Sequence, residues 1–196
     1  MLADRGVERG VVGRIEHVAV ATGDGDEVHV GLEARGHGPH HVAHIEDIDI
    51  LVNNAGFGVY GAFDETDLDK ELSMIDVNVR AVHILTKLFL RDFIARDYGY
   101  ILNVASIAGY LPGPLMAGYY ASKAYVLRLS EAIYGELRRK KSNVHITALC
   151  PGPVQTEFNQ VANVRFRIKG KKASDVAYQA INGMFGERRV VIPGML

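Results

Sequence analysis

The chain has 196 residues, of which 48% are hydrophobic, and this length and composition predict a single domain with one sizeable core. Its 22 basic and 23 acidic side chains leave a formal charge of -1, so no electrostatic footprint indicates nucleic acid or an anionic membrane as a partner. The lone cysteine, Cys150, excludes an internal disulfide, and the charged start Met1–Arg5 is unlike a signal peptide. The longest apolar stretch, Ala81 to Leu90, is about half as long as a membrane span, so we expect a soluble, cytoplasmic protein.

Residues 1–48 form an atypical amino-terminal segment that contains six of the eight histidines. Two β-branched stretches, Ile15–Val20 and Val28–Val30, flank Asp-Gly pairs that favour a tight turn, so we predict a β-hairpin here. Four histidines at helical spacing would share one face and offer a zinc or nickel site: His37, His40, His41 and His44. Nearby glycines and Pro39 disfavour a helix, so a solvated loop is the simpler interpretation and we expect no metal.

From Asp49 to Leu196, short apolar strands alternate with long helical patterns, which is typical of βα units on a parallel sheet. The predicted strands are 50–52, 100–104, 144–149 and 189–192. The predicted helices are one that Thr66 caps and that ends at about Ile75, then 78–96, 119–139 and 173–185. The apolar face of 78–96 is wide enough to predict two buried sides. The fold class is therefore α/β, a Rossmann-like doubly wound parallel sheet that is incomplete in its amino-terminal half.

Small or polar residues follow three consecutive predicted strands. Asn53-Asn54-Ala55-Gly56 ends the first strand, Ser106 follows the second, and Pro151-Gly152-Pro153-Val154-Gln155-Thr156 follows the third. Because open parallel sheets bind ligands at the carboxyl ends of their strands, we expect these residues to line one crevice. Cys150, at the end of an apolar strand, is interpreted as a small buried hydrophobic residue rather than a nucleophile.

Tyr119 and Lys123 lie four residues apart on a predicted helix, so their side chains leave the same face about one turn apart. A tyrosine with a pKa of about 10 is a poor base at neutral pH, but a neighbouring ammonium group favours the phenolate. We therefore expect Lys123 to lower the pKa of Tyr119, which would suit the phenol to proton transfer.

Together these residues resemble the short-chain dehydrogenase/reductase family, in which the same motifs occur in the same order. The likeness extends from about Asp49 to Gly194. It consists of Asn53-Asn54-Ala55-Gly56, Asn78 on a helix, Ser106, the pair Tyr119-x-x-x-Lys123, and the turn Pro151-Gly152. The surrounding sequence is similar to bacterial members of that family.

The resemblance implies a hydride transfer between NAD or NADP and a small carbonyl or alcohol compound. Tyr119 would be the general acid or base, and Ser106 would hold the substrate oxygen against it. Lys123, together with the positive nicotinamide ring, would lower the pKa of Tyr119. Lys123 would also bind the nicotinamide ribose, while Asn78 would keep a water molecule in line behind it. The remaining residues implied to contact the cofactor are Asn53, Ala55, Gly56, Pro151, Gly152, Val154 and Thr156. The helices that begin near Asn78 and Tyr119 resemble those through which family members form homodimers or homotetramers.

One family feature is missing, namely the glycine-rich TGxxxGxG turn that holds the cofactor's pyrophosphate. Thr22-Gly23 is the nearest match, but Glu27 and His29 replace the later glycines. Only 29 residues separate Gly23 from Asn53, which is too few for the two strands and two helices expected between them. A shifted reading frame or an aberrant gene start would explain the change. Two functions therefore remain open, a working enzyme and a catalytically impaired remnant that acts as a binding or scaffold subunit. The choice between NAD and NADP also remains open.

Overall fold

The structure is a computed structural model, and it describes residues 17–22, 29–34, 48–155 and 170–194. Six strands form one sheet. They are β1 (His17–Thr22), β2 (His29–Ala34), β3 (Ile50–Asn53), β4 (Gly99–Val104), β5 (Val144–Leu149) and β8 (Val190–Val191). Their order across the sheet is β2-β1-β3-β4-β5-β8. All neighbouring strands are parallel except β1 and β2, which pair antiparallel with Thr22 opposite His29. Two further short strands, β6 (Val154–Gln155) and β7 (Lys171–Lys172), pair with each other.

The antiparallel pair predicted near the amino terminus is present. Its first strand, His17–Thr22, begins two residues later than predicted, and its second, His29–Ala34, begins one residue later and is longer. Its first strand, β1, also runs parallel beside β3, with Val18 opposite Ile50. This strand therefore extends the main sheet instead of forming a separate hairpin. The predicted turn between the two strands lies outside the described residues.

Helices cover both faces of the sheet, as the doubly wound prediction requires. The helices are α1 (Leu68–Ile75), α2 (Val82–Arg96), α3 (Ala117–Lys140) and α4 (Ala173–Phe185). On one face, α2 and α3 pack on alternate strand residues such as Leu51 and Ile101. On the other face, α4 packs on Ile50, Leu102 and their neighbours. Because successive strand residues point to opposite faces, the continuous apolar strands of this chain are buried on both sides.

The helix α1 begins one residue later than its sequence predicted. Asp67 is the N-cap, and its carboxylate accepts a hydrogen bond from the Lys70 backbone N–H at 2.9 Å. Thr66 was predicted to be the N-cap, but its hydroxyl instead donates a hydrogen bond to the Glu71 carboxylate at 2.7 Å. The helix does not end at Ile75 but continues through a π-helical turn, Asp76–Ala81, into α2.

The wide apolar face of α2 is buried on one side only within the single chain. Val82, Thr86, Phe89 and Phe93 face the core. Ile84 and Leu88, which both belong to the apolar face expected to be buried, are 46% and 47% exposed. That part of the prediction is wrong for the isolated chain.

Among the helices that the structure describes, none is both long enough and apolar enough to cross a membrane. Likewise, those same parts of the chain hold no group of three or more potential metal ligands. The four histidines considered for a metal site lie outside them.

Candidate active site

The carboxyl ends of β3, β4 and β5 lie side by side and carry the candidate residues. Backbone hydrogen bonds continue past the ends of β4 and β5, from Ala105 N–H to Leu149 O at 2.8 Å and from Ile107 N–H to Pro151 O at 3.0 Å. These bonds hold Ser106 close to the Pro151-Gly152 turn. The strand order therefore brings together the three segments that the sequence predicted to share a crevice.

Ser106 and Tyr119 meet at the centre of this edge. The Ser106 hydroxyl accepts a hydrogen bond from the Ala108 N–H at 3.1 Å and thereby caps a short 3₁₀ turn, Ile107–Tyr110. The hydroxyl of Ser106 is also hydrogen-bonded to the phenol of Tyr119. Tyr119 lies in the first turns of α3, only 9% exposed, and packs against Met74 and Met116.

Lys123 lies one helical turn after Tyr119 and is also buried. Its Nζ is 5.9 Å from the centroid of the Tyr119 ring. The ammonium group donates a hydrogen bond to the Val104 carbonyl at 2.9 Å, at the end of β4. The helical spacing therefore brings phenol and ammonium to one side of α3, as the sequence indicated.

The ionisation of this pair differs from our expectation. Burial raises the pKa of Tyr119 to about 12, and the hydrogen bond with Ser106 only partly opposes it. Burial also lowers the pKa of Lys123 to about 8. We expected Lys123 and the positive nicotinamide ring together to lower the pKa of Tyr119; in the chain alone the largest cause is burial, and it acts in the opposite direction. At neutral pH the phenol therefore keeps its proton.

Asn78 lies in the π-helical turn and is fully buried. Its side-chain amide pairs with the backbone of Phe57, accepting from the N–H at 3.0 Å and donating to the carbonyl at 2.8 Å. It also donates to the Ser122 hydroxyl at 3.0 Å. The extra residue of a π-turn shifts the helical face, which is a common device at functional sites. Asn78 thus links the segment after β3 to the helix that carries Tyr119.

Gly56 lies beside the side chains of Asn78 and Lys123, at the bottom of the crevice. A Cβ atom at this position would lie 3.0 Å from Asn78 Oδ1 and 3.1 Å from Lys123 Nζ. The neighbouring Ala55 is buried. The absence of a side chain at Gly56 therefore leaves room next to the ammonium group.

Asn53 is buried away from the bottom of the crevice. Its Nδ2 donates to Asn103 Oδ1 at 2.8 Å and to Thr86 Oγ1 at 3.1 Å, so the side chain joins β3 to β4 and α2. Asn103 Nδ2 in turn donates to the Ser130 hydroxyl at 3.0 Å. Asn53 was predicted to contact the cofactor, but its side chain is buried and its Nδ2 is bound within the core.

The segment after β5 supplies the opposite wall. The Pro151 carbonyl accepts from the Ser106 hydroxyl at 3.4 Å, and a Cβ on Gly152 would lie 3.5 Å from Ile107 Cδ1. Val154 lies in β6, opposite Lys171 of β7. Thr156 lies outside the described residues. Cys150 is fully buried, and burial raises the pKa of its thiol to about 11, in keeping with an unreactive core residue.

Sequence reasoning did not single out four buried polar residues that support the site: Thr86, Asn103, Ser122 and Ser130. Ser122 is the most informative of them, because it donates to the Tyr119 carbonyl at 2.7 Å and accepts from Asn78. Its position directly before Lys123 in the sequence could have identified Ser122 as part of the site. The hydroxyl locks the turn that holds both Tyr119 and Lys123.

The donor set at this edge fits the nicotinamide-ribose half of a dinucleotide. An ammonium group has three N–H donors, and the structure gives Lys123 one protein acceptor, Val104 O, beside the space that Gly56 leaves open. The pyrophosphate half fits less well. A phosphate-binding helix N-terminus follows the first strand of a βαβ unit, whereas β1 is followed by an antiparallel partner.

Comparisons with known proteins agree with this geometry. The family model described as "short chain dehydrogenase" matches residues 39–165. A probable NADP-dependent dehydrogenase from Haemophilus influenzae is 38% identical over 134 residues, 66% of this chain and 50% of the relative. A very-long-chain 3-oxoacyl-CoA reductase from Anas platyrhynchos is 35% identical over 124 residues, 61% of this chain and 39% of the relative. The chain thus spans half or less of the length of these two curated relatives.

Solved structures show the same likeness. A short-chain dehydrogenase from Sphingobium yanoikuyae in complex with NADPH superposes with a TM-score of 0.70 and 26% identity, covering 77% of this chain and 62% of that one. A short chain dehydrogenase/reductase from Burkholderia phymatum in complex with NAD gives a TM-score of 0.68 and 27% identity, covering 75% and 61%.

Proposed function

Because this chain belongs to the short chain dehydrogenase family, we propose that it is an oxidoreductase that transfers hydride between NAD or NADP and a small carbonyl or alcohol compound. The observation that carries the proposal is the buried arrangement of Ser106, Tyr119 and Lys123 at the carboxyl edge of the sheet. A phenol, a hydroxyl and an ammonium group around one crevice can position a carbonyl oxygen and provide it with a proton.

Tyr119 acts as the general acid in the direction of reduction. When bound, the nicotinamide supplies the hydride that adds to the carbonyl carbon. The carbonyl oxygen takes the phenol proton, so the product is an alcohol and Tyr119 is left as a phenolate. A pKa of about 12 keeps that proton in place until the substrate oxygen becomes basic. In the direction of oxidation the phenolate accepts the alcohol proton.

Ser106 and Lys123 support this proton transfer. The Ser106 hydroxyl, already hydrogen-bonded to Tyr119, orients the substrate oxygen towards the phenol. The Lys123 ammonium stabilises the phenolate once it forms and binds the nicotinamide ribose with its remaining N–H groups. Asn78 Oδ1 has one lone pair beyond its bond to Phe57, which suits a water molecule behind Lys123.

The other cofactor contacts are proposed at the rim of the same crevice. The backbone of Asn53, with Ala55 and Gly56, lines the ribose side. Pro151, Gly152, Val154 and Thr156 line the carboxamide side, opposite Ser106. Either NAD or NADP is compatible with these residues.

A matched pair of tyrosine variants tests the activity. Tyr119→Phe removes the acidic proton and should lower kcat by about 10² to 10⁴, whereas Tyr120→Phe, at the next position, should retain it. Consumption of NADH and NADPH with 2,3-butanedione, a small reactive carbonyl, is the assay. Equal activity of the two variants would contradict the role of Tyr119.

The alternative function is a non-catalytic binding or scaffold subunit. The antiparallel strand after β1 favours it, because among the described residues β1 is followed by that strand and not by a helix that could bind phosphate. Calorimetric titration of the wild-type chain with NADH and NADPH separates the two functions. Micromolar binding of either cofactor supports the enzyme, while no binding to either supports the scaffold.

We further propose a homodimer or homotetramer formed through the outer faces of α2 and α3. Ile84 and Leu88 are exposed there, and a hydrogen bond of 2.6 Å joins His83 Nδ1 to the Tyr125 hydroxyl across the two helices. Burial against a second copy would remove this apolar surface from water. Light scattering should give a multiple of the 21.5 kDa chain mass, and Leu88→Arg should yield the monomer. A monomeric wild type would contradict this proposal.

A further inference from the structure

Two segments beside Tyr119 carry no charged side chain. They are residues 53–63, which follow β3, and residues 105–122, which join Ser106 to the helix of Tyr119. The nearest charges along the chain are Asp64 after the first segment and Lys123 after the second. The side chains of these two segments can therefore offer a ligand near Tyr119 apolar contacts and neutral hydrogen bonds, but no ion pair.

The two segments are in contact with each other around Tyr119. The Gly61 N–H donates to the Leu115 carbonyl at 2.9 Å. Phe57 and Val59 of the first segment pack against the cluster that contains Met116 and Tyr119 of the second. The neutral surface is therefore continuous with the candidate active site.

Six large apolar side chains on these segments are exposed, and we call the four most exposed of them the apolar rim. They are Tyr60 (46% exposed), Phe63 (70%), Leu111 (63%) and Leu115 (45%). Leu115 has a φ of 66°, a left-handed conformation that a leucine rarely adopts. Strained backbone of this kind occurs preferentially at ligand-binding sites.

We propose that the substrate is an uncharged ketone or aldehyde whose hydrocarbon body lies against the apolar rim. This inference rests on the proposed function and names its substrate class. A hydrocarbon chain would cover the exposed side chains of the rim and release their hydration water. A carboxylate or phosphate at the same place would lose water, and neither segment carries a cation to compensate it. The guanidinium of Arg128, on α3, lies over the ring of Tyr110, which is not part of the apolar rim.

Two nine-carbon methyl ketones test the substrate class. One is 2-nonanone, and the other is 8-oxononanoate, which carries a carboxylate at the far end. Binding to the full chain is measured by saturation-transfer NMR, which requires no turnover. The variants are Leu111→Asp, which places a charge on the rim, and Ile181→Asp, a control at a 47% exposed position on α4, across the sheet.

We expect saturation transfer from wild type and Ile181→Asp to 2-nonanone, and a loss of most of this signal in Leu111→Asp. We expect weak or no transfer to 8-oxononanoate. In turnover, kcat/KM should rise by up to about fourfold per methylene from 2-pentanone to 2-nonanone. It should be about tenfold or more lower for 8-oxononanoate.

Equal binding of the two ketones, no binding of 2-nonanone, or full binding by Leu111→Asp would overturn the substrate class. Turnover of 2,3-butanedione distinguishes this failure from failure of the proposed function. If that small dicarbonyl is reduced while the ketones show no preference, only the substrate class is wrong. If 2-nonanone binds as expected but no carbonyl is reduced, the apolar rim is a binding site for such ketones and the catalytic proposal fails.

Discussion

Replacing Lys123 by methionine should stabilise the fold at neutral pH while impairing the proposed activity. Burial lowers the pKa of Lys123 from 10.5 to about 8, so the folded chain binds this proton less tightly than the unfolded chain does. At pH 7 the shift costs the folded state roughly 3 kcal/mol. Methionine has a similar shape and no charge, but it leaves the Val104 carbonyl without its donor, at a cost of about 1–3 kcal/mol. We expect a net gain of about 1 kcal/mol at pH 7.

The dependence on pH is the sharper part of this prediction. Between about pH 8 and pH 10.5 the unfolded chain holds more protons at this position than the folded chain, so the contribution of Lys123 to wild-type stability rises with pH over that window. Lys123→Met has no such group. The stability of wild type relative to the variant should therefore increase by about 2 kcal/mol from pH 7 to pH 9.5.

Urea denaturation of both proteins at pH 7 and pH 9.5 measures this difference. Lys140→Met, an exposed position at the end of the same helix, controls for the loss of a lysine in general. If the gap between wild type and Lys123→Met were the same at both pH values, Lys123 would not be the buried, weakly protonated group that the structure indicates.

Three further outcomes follow from the described contacts. Gly135→Ala, at an exposed position in α3 with open space around it, should stabilise the fold by about 0.5–1 kcal/mol. Gly109→Ala should destabilise the fold by about 1–3 kcal/mol, because its Cβ would lie 2.8 Å from the Lys123 carbonyl oxygen. Thermal unfolding of the two variants and wild type measures both effects. Asp97 accepts hydrogen bonds from Ser142 and Asn143, which lower its pKa, so it stabilises the fold above pH 3.8 and loses this effect as the pH falls through its lowered value. Asp97→Asn should therefore flatten the acid side of an unfolding curve, and an unchanged curve would refute this. Asn78→Ala should cost about 2–4 kcal/mol in chemical denaturation because it leaves the Phe57 backbone unpaired, and a cost below 1 kcal/mol would contradict that role.

Periodicity and strand-end motifs were sufficient to predict the βα core and the residues gathered at one edge. The spacing of Tyr119 and Lys123 determines that they share a side of α3, because helix geometry alone sets it. Their pKa values could not be predicted in the same way. These depend on Met74 and Met116 packing around the phenol, which is a tertiary effect with no local sequence signal.

The details of α1 and α2 show why other features were missed. Thr66 and Asp67 are both good N-cap residues, and only the position of the Glu71 carboxylate, which holds the Thr66 hydroxyl, decides between them. The π-helical turn is invisible in a 3.6-residue pattern because it adds a residue within an otherwise continuous helix. The exposed apolar side of α2 was predicted as buried because a single sequence does not distinguish a core contact from surface that another molecule covers.

The hydrogen bond between the side chains of Asn53 and Asn103 helps to fix the register of β3 and β4 in the middle of the sheet. The two residues stand directly opposite each other in the β3–β4 pairing. Sliding one strand by a single position would set Asn53 against Leu102 or Val104, so that its buried amide would lose the hydrogen bond to Asn103. A shifted register of β3 and β4 is therefore less stable than the native one. The native register is also the one that places the ends of both strands at the crevice.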